Sequence, residues 1–413
     1  MTPFPAVSTA PVAGIGIRAA QALTAELARR NEAGSALVVG ADHATSVVAA
    51  AVEALLPNDK LTLVAGERST ADLLRDHIAG LGSWVADRVT IVESLDDAEP
   101  ADVVIVGEPM TGTAEEARAQ LDALSKYLND GAVVTAATPA VPGQTGGAAA
   151  ELYRQSALFG VGSDLVLRNN PPVRVHKLRF STAATSTAAT LAPAYRPSSV
   201  PLTRGMHIDS NGVAAAGIAL GLAAAARVAR PHSKLWLLPV LAAAPIAAFF
   251  RDPEREVPAD PRAIVAASDG RVLSVEHVTE ERFGGEFLRI AVFLSVLDVH
   301  VNRVPVAGRV TDYFVEEGGY ANAMTAAAEH NVAAYTVLDT EQGTVVVAQR
   351  TGLIARRIVQ RTPIGTVVAR GERMGLIRFG SRTDVYLPAG KATPAVTVND
   401  RVVGASSVIA RWR

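Results

Sequence analysis

Between residues 34 and 140 the chain repeats one pattern, a short run of β-branched residues followed by a stretch of helical composition. The runs are "SALVVGAD", "LTLVAGER", "DRVTIVES", "ADVVIVGEP" and "GAVVTAATP". Strands this uniformly apolar must be covered on both faces, and helical crossovers between parallel strands supply that cover. The pattern predicts a Rossmann-like, doubly wound α/β sheet in a domain spanning residues 1–180.

The rest of the chain departs from that rhythm. From residue 181 the segment "STAATSTAATLAPAYRPSSVP" is rich in Ser, Thr, Ala and Pro, and reads as a linker over 181–205. Two Ala- and Leu-rich runs follow, 212–226 and 235–250, separated by Arg227, Arg230, His232 and Lys234. Each is shorter than the roughly 20 residues of a perpendicular membrane span. Over 206–256 they suit a shallow, membrane-associating helical hairpin with a cationic elbow at the headgroups. A buried soluble helical pair is the alternative, against which Pro239 and Pro245 speak because proline is commoner in membrane helices. From 257 to 413 strands and turns dominate, interrupted by one helix around "YANAMTAAAEH", which predicts an all-β sandwich or barrel. The expected fold class is α/β plus mainly β, and 413 residues suffice for two separate cores.

Composition removes several function classes. A formal charge of −2 over the whole chain supplies no basic field for a nucleic-acid backbone, so no nucleic-acid partner is expected. With no cysteine, any nucleophile must be a hydroxyl, amine, carboxylate or imidazole. No metal-ligand spacing appears, and His43 and His77 read as ordinary helix or loop residues. "MTPFPAVSTAPVAG" lacks the pattern of a secretory signal, so residence on the cytoplasmic side is expected.

The chemistry concentrates in "RFGSRTDVYLP", Arg378 to Pro388. Gly380 can take backbone angles closed to other residues and leaves its carbonyl open to the hydroxyl of Ser381. Attack of that hydroxyl would replace the amide by an ester, and loss of the Ser381 α-proton would then break the chain by β-elimination. The dehydroalanine so formed hydrolyses to a pyruvoyl group with release of ammonia. Such a shift needs a base and an orienter for it. His300 in "FLSVLDVHVNRVP" and Asp269 in "AASDGRV" are the candidates, forming with Ser381 a nucleophile, base and orienter.

These segments, together with "FFRDPER", "GLIARRIV" and "GLIRFGSRTDVYLP", resemble the phosphatidylserine decarboxylase family in its short form, shared with archaeal-type homologues, over residues 206–413. The resemblance implies a zymogen cleaved between Gly380 and Ser381 into a large chain, 1–380, and a small chain, 381–413, that begins with the pyruvoyl cofactor. It implies a lyase in phospholipid biosynthesis: the amine of phosphatidylserine condenses with the pyruvoyl ketone, which draws off electrons as CO2 leaves, giving phosphatidylethanolamine. His300 is a candidate proton donor to the former α-carbon. Members with a longer motif carry a second histidine where Arg303 stands here. Arg303, Arg356 and Arg357 are candidate partners of the lipid phosphate, with a solvated surface charge as the alternative for each.

A lipid substrate gives the hairpin a reason, since the site must lie at an anionic membrane surface, here the cytoplasmic face of the cell membrane. A homodimer is left open. Two alternatives stand beside the decarboxylase: an enzyme acting on another serine-headgroup lipid, such as an archaetidylserine-like ether lipid, and an uncleaved membrane-surface scaffold. The strand series at 36–138 resembles the core of class I S-adenosylmethionine-dependent methyltransferases. The loop after its first strand supplies only Gly40 where several glycines are usual, and Glu67 is the candidate ribose contact. A structural or degenerate domain is therefore expected in preference to S-adenosylmethionine binding.

Overall fold

The computed structural model describes residues 14–140, 146–193, 200–203, 205–230, 232–353, 357–377 and 381–413. The chain divides into two compact units, Met1–Ser181 and Thr182–Arg413.

The first unit is built on β1 (Ser35–Val39), β2 (Lys60–Val64), β3 (Val89–Val92), β4 (Ala101–Val106), β5 (Leu128–Pro139), β6 (Gly160–Val166) and β7 (Val173–Leu178). They lie in the order β3-β2-β1-β4-β5-β7-β6. The first five pair in parallel, and β7 inserts antiparallel between β5 and β6. Alternate residues feed two cores: Ala36, Val38, Leu61, Leu63 and Ile105 face one, while Leu37, Val39, Val64 and Val104 face the other. That two-sided burial is why the runs read as continuous apolar stretches in sequence. After β1, Gly40 turns with φ +74, and the loop closes on itself. Ala44 N donates to Asp42 Oδ1 at 2.9 Å and the Thr45 hydroxyl to Asp42 O at 2.8 Å. Glu67 stands exposed at the head of the helix Arg68–Gly80, whose last turn carries His77.

The second unit opens with β8 (Val200–Thr203) and β9 (Met206–Ile208), and β9 pairs with β10 (Arg251–Pro253) after the chain has made a helical hairpin. The hairpin helices are Ser210–Ala229 and Leu237–Phe249, and they pack against each other. The first is 20 residues long, against 15 in the apolar run seen in sequence. Asp209 extends it at the front by accepting from Asn211 N at 2.9 Å, and the basic residue Arg227 continues it at the back instead of ending it. It is long and apolar enough to cross a membrane by length and composition. Residues 182–193 belong to this unit, where Ala183 and Ala188 are buried against Val367.

Next come β11 (Ala263–Val265), β12 (Gly270–Glu280), β13 (Gly285–Leu294), β14 (Val301–Arg303), β15 (Gly308–Glu316), β16 (Ala333–Thr340) and β17 (Gly343–Arg350). They are followed by β18 (Ile358–Gln360), β19 (Val367–Val368), β20 (Arg373–Ile377), β21 (Ser381–Pro388), β22 (Ala392–Pro394), β23 (Arg401–Val402) and β24 (Val408–Trp412). Eight of them form one antiparallel sheet, β19-β15-β16-β17-β21-β13-β12-β23. Two three-stranded sheets, β11-β24-β22 and β14-β20-β18, share its inner apolar core of Val292, Val347, Val385, Leu387, Ile409 and Met374. These strands make a layered β structure, with the first residue of β21, Ser381, in the interior.

The outer face of the sheet is different in kind. Asp384, fully buried, accepts from Arg350 Nε at 2.8 Å and pairs with Arg382. Arg382 and Arg289 each reach Glu329 at 2.9 Å. Glu329 sits in a single 3-10 turn, Ala326–His330, where the sequence predicts a helix. The backbone there is claimed by Asn331, which accepts from Ala321 N at 2.7 Å and donates to Ala321 O and Thr351 O. Gly270, at φ +149, lies so close to the neighbouring strand that a Cβ would fall 2.0 Å from Phe293 O. Replacing Arg350 by Met leaves Asp384 a buried charge with half its partners gone. Chemical denaturation should then report a loss of about 3–5 kcal/mol in the transition of the second unit, and an unchanged midpoint would contradict the role assigned to that pair.

Candidate active site

Ser381 is the first residue of β21, a strand paired to β13 from Ser381 to Pro388 and to β17 from Arg382 to Tyr386. Alternation along β21 points Ser381, Thr383, Val385 and Leu387 inward, as the burial of Val385 and Leu387 in the inner core requires. Ser381 is fully buried, and its hydroxyl has no hydrogen-bond partner among the described residues. A buried hydroxyl without a partner is costly and rare, so it marks a site where another group is meant to engage it. Gly380, the other half of the predicted scission bond, lies outside the described residues, as does Arg356.

His300 arrives from the loop between β13 and β14. Asp298 ties that loop shut: its Oδ2 accepts from Ser295 N at 2.8 Å and from the Ser295 hydroxyl at 2.7 Å, and its Oδ1 accepts from Arg401 at 3.0 Å. The carbonyl of the same residue accepts from His300 Nδ1 at 2.9 Å. Because a carbonyl can only accept, Nδ1 carries the proton and Nε2 the lone pair. The Phe249 ring packs on the imidazole with centroids 4.3 Å apart. Burial lowers the pKa of His300 to about 4; Asp298 opposes that shift and Arg251 adds to it. The ring is thus neutral at ordinary pH. Its carbonyl accepts from Ile377 N at 3.3 Å, which sets His300 beside the end of β20, four residues before Ser381.

Asp269 occupies the turn before β12. Its carboxylate accepts from Arg255 Nη2 at 2.7 Å and from Gly404 N at 2.8 Å. The acceptor on His300 Nδ1, the orienter that sequence reasoning sought in Asp269, is the Asp298 backbone. Asp269 is still joined to β21, since the adjacent Ser268 hydroxyl meets the Thr383 hydroxyl at 2.7 Å in the interior. Arg303 is buried and donates to Asp252 Oδ1 at 2.7 Å and Pro253 O at 3.0 Å. Burial and the neighbouring Arg373 pull its pKa down to about 10, which leaves it cationic. Arg357 is exposed.

The residues that sequence reading passed over are Asp298, Phe249, Asn302 and Gln349. The spacing Ser295-x-x-Asp298 signals a closed loop, and Gln349 interrupts the apolar run "TVVVAQ". Asn302 and Gln349, both fully buried, meet through Gln349 Nε2 and Asn302 Oδ1 at 2.7 Å.

The family described as phosphatidylserine decarboxylase matches residues 243–410. The phosphatidylserine decarboxylase proenzyme of Symbiobacterium thermophilum is 48% identical over 166 residues, covering 40% of this chain and 77% of that protein. The proenzyme of Thermobifida fusca is 46% identical over 185 residues, 45% of this chain and 82% of that one. Among solved structures, the O-methyltransferase TomG from Streptomyces achromogenes covers 40% of this chain and 78% of its own, with 19% identity and a TM-score of 0.29.

One prediction belongs to His300 alone. Replacing Phe249 by Ala admits water to the ring and lets the pKa climb from about 4 toward the ordinary value of about 6.5. Histidine-selective NMR titration should find the midpoint moved upward, and an unmoved midpoint would contradict the packing origin of the shift.

Proposed function

The chain belongs to the phosphatidylserine decarboxylase family, and from that premise we propose that it decarboxylates phosphatidylserine to phosphatidylethanolamine through a pyruvoyl group made from its own Ser381. The observation that carries this is the buried Ser381 hydroxyl at the head of β21, without a partner among the described residues. The residues present fit the group: the polar Ser268 and Thr383 hydroxyls on the same inner face as Ser381 suit a ketone where its hydroxyl stood. When formed, the pyruvoyl supplies an electron sink for the leaving carboxylate.

The chain's own residues do the rest. In our reading the neutral His300 takes the Ser381 hydroxyl proton at Nε2 as the oxygen attacks the Gly380 carbonyl, and the Asp298 carbonyl keeps the ring in the tautomer that can accept it. Loss of the Ser381 α-proton then releases the 1–380 chain as a carboxylate. In turnover His300 returns a proton to the former α-carbon. Asp269, held by Arg255, fixes the turn whose Ser268 supports β21. Arg303, paired with Asp252, and exposed Arg357 are our candidates for the lipid phosphate, with Arg356 beside them in sequence.

Cleavage before β21 need not separate the products. The 33-residue fragment 381–413 keeps β21 hydrogen-bonded to β13 and β17, and returns β24 to the sheet with β11.

We propose that the enzyme works at a membrane surface, on its cytoplasmic face. The hairpin supports the membrane contact: Ile218, Leu222 and Leu241 expose 67%, 60% and 69% of their surface, an apolar area that water disfavours. The hairpin root is anchored beside the site, with Arg361 on Asp209 at 2.7 Å and Phe249 and Phe250 packed on Leu376.

Two experiments test this. The wild-type chain should lose a small fragment on denaturing electrophoresis and release CO2 from phosphatidylserine, whereas Ser381→Ala should run as one band of 43.0 kDa and release none; CO2 from that variant would refute the proposal. Replacing Ile218 and Leu241 together by Glu should weaken co-sedimentation with vesicles containing anionic lipid by about tenfold or more while scission proceeds, and undiminished sedimentation would remove the hairpin from the account.

A further inference from the structure

The Asn302–Gln349 pair is left incomplete on one side. Gln349 Nε2 donates to Asn302 Oδ1, but Asn302 Nδ2 and Gln349 Oε1 have no partner among the described residues, though both residues are fully buried. Turning both amides over exchanges the roles and still leaves one amide nitrogen and one carbonyl oxygen bare, so the deficit does not depend on how the atoms are assigned. Interiors pair such groups with protein, water or ligand. Gln349 sits opposite Thr383 on the inner face, diagonal to Ser381 across β17 and β21. Diagonal positions are about 7–8 Å apart, a span that a Gln side chain and a small ligand cover. A bare donor, a bare acceptor and a bare hydroxyl therefore share one buried wall.

We infer that this amide pair is the recognition element for the α-amino-acid headgroup, Asn302 Nδ2 meeting the carboxylate that departs as CO2 and Gln349 Oε1 meeting the headgroup nitrogen. The inference rests on the decarboxylase reading above. A neutral amide suits this task better than an arginine. The carboxylate loses its charge in the step, and a fixed cation would hold the ground state more tightly than the transition state. The buried arginines of this unit already face carboxylates of the protein, Arg303 that of Asp252 and Arg350 and Arg382 that of Asp384, and Arg303 is our candidate for the phosphate end of the lipid. The product, which lacks a carboxylate, loses the contact, so the pair also favours its release.

The test uses the full chain with Asn302→Leu and the isosteric Asn302→Asp. Three quantities are read: scission by electrophoresis, covalent capture of phosphatidylserine and of phosphatidylethanolamine on the small chain under a mild hydride reductant by intact mass, and the division of the turnover loss between KM and kcat. Both variants should cleave and should capture phosphatidylethanolamine as the wild type does. Capture of phosphatidylserine and kcat/KM should fall about 10–100-fold, more deeply for Asp, whose charge repels the carboxylate. Equal loss of both lipids, or loss of neither, overturns the inference. Failure of both variants to cleave, beside a wild type that does, also overturns it, because the pair would then serve chain opening. A wild type that stays whole removes the decarboxylase reading and this inference together.

Discussion

The structure of the second unit depends on β21 being hydrogen-bonded on both sides. A strand between β13 and β17 cannot shift without opening two ladders at once, and its first position is paired to Leu294 of β13, one residue before the β17 ladder begins. That position is Ser381, and the strand's two faces have opposite chemistry. Inward lie Thr383, Ser268 and the apolar core; outward, beginning at the very next residue, lie Arg382, Asp384 and Arg350. Ion pairs of that kind gain from mutual attraction only when fully partnered, and removing one member leaves a buried charge. The strand that begins at Ser381 is thus braced by a charged network on the face opposite that residue.

The helical hairpin and the imidazole are mechanically joined. Phe249 ends the second helix and packs on His300, while Arg251, two residues on, bonds to the Leu297 carbonyl in the loop that presents the ring. Arg361 holds Asp209 at the start of the first helix, so both ends of the hairpin are rooted beside β18 and β20. The element we propose to meet the lipid surface and the group we propose to move the proton therefore share one packed junction. The same packing keeps the imidazole neutral, since burial is the main cause of its low pKa.

The sheets were legible because their residues repeat. The runs of the first unit predicted strands at β1 to β5, and the strands and turns after residue 262 predicted an all-β sandwich or barrel. The insertion of β7 between β5 and β6 was not legible, for pairing order leaves no local trace in sequence. The helix expected at "YANAMTAAAEH" has the composition of a helix, but Asn331 takes its backbone groups and Glu329 is drawn to Arg289 and Arg382, contacts made by distant strands. At the site, Ser381, His300 and Asp269 stood out by residue type and motif. What orients His300 did not, because the acceptor is a backbone carbonyl and every residue has one. Asn302 and Gln349 were equally silent: an amide's importance lies in being buried and half satisfied, which only the fold reveals.

The most direct measurement is the intact mass of the small fragment from freshly folded protein. The account predicts a species of residues 381–413 lighter by one ammonia than the same peptide with a free serine amine. A chain that stays whole, or a fragment that keeps its amino terminus, would contradict it.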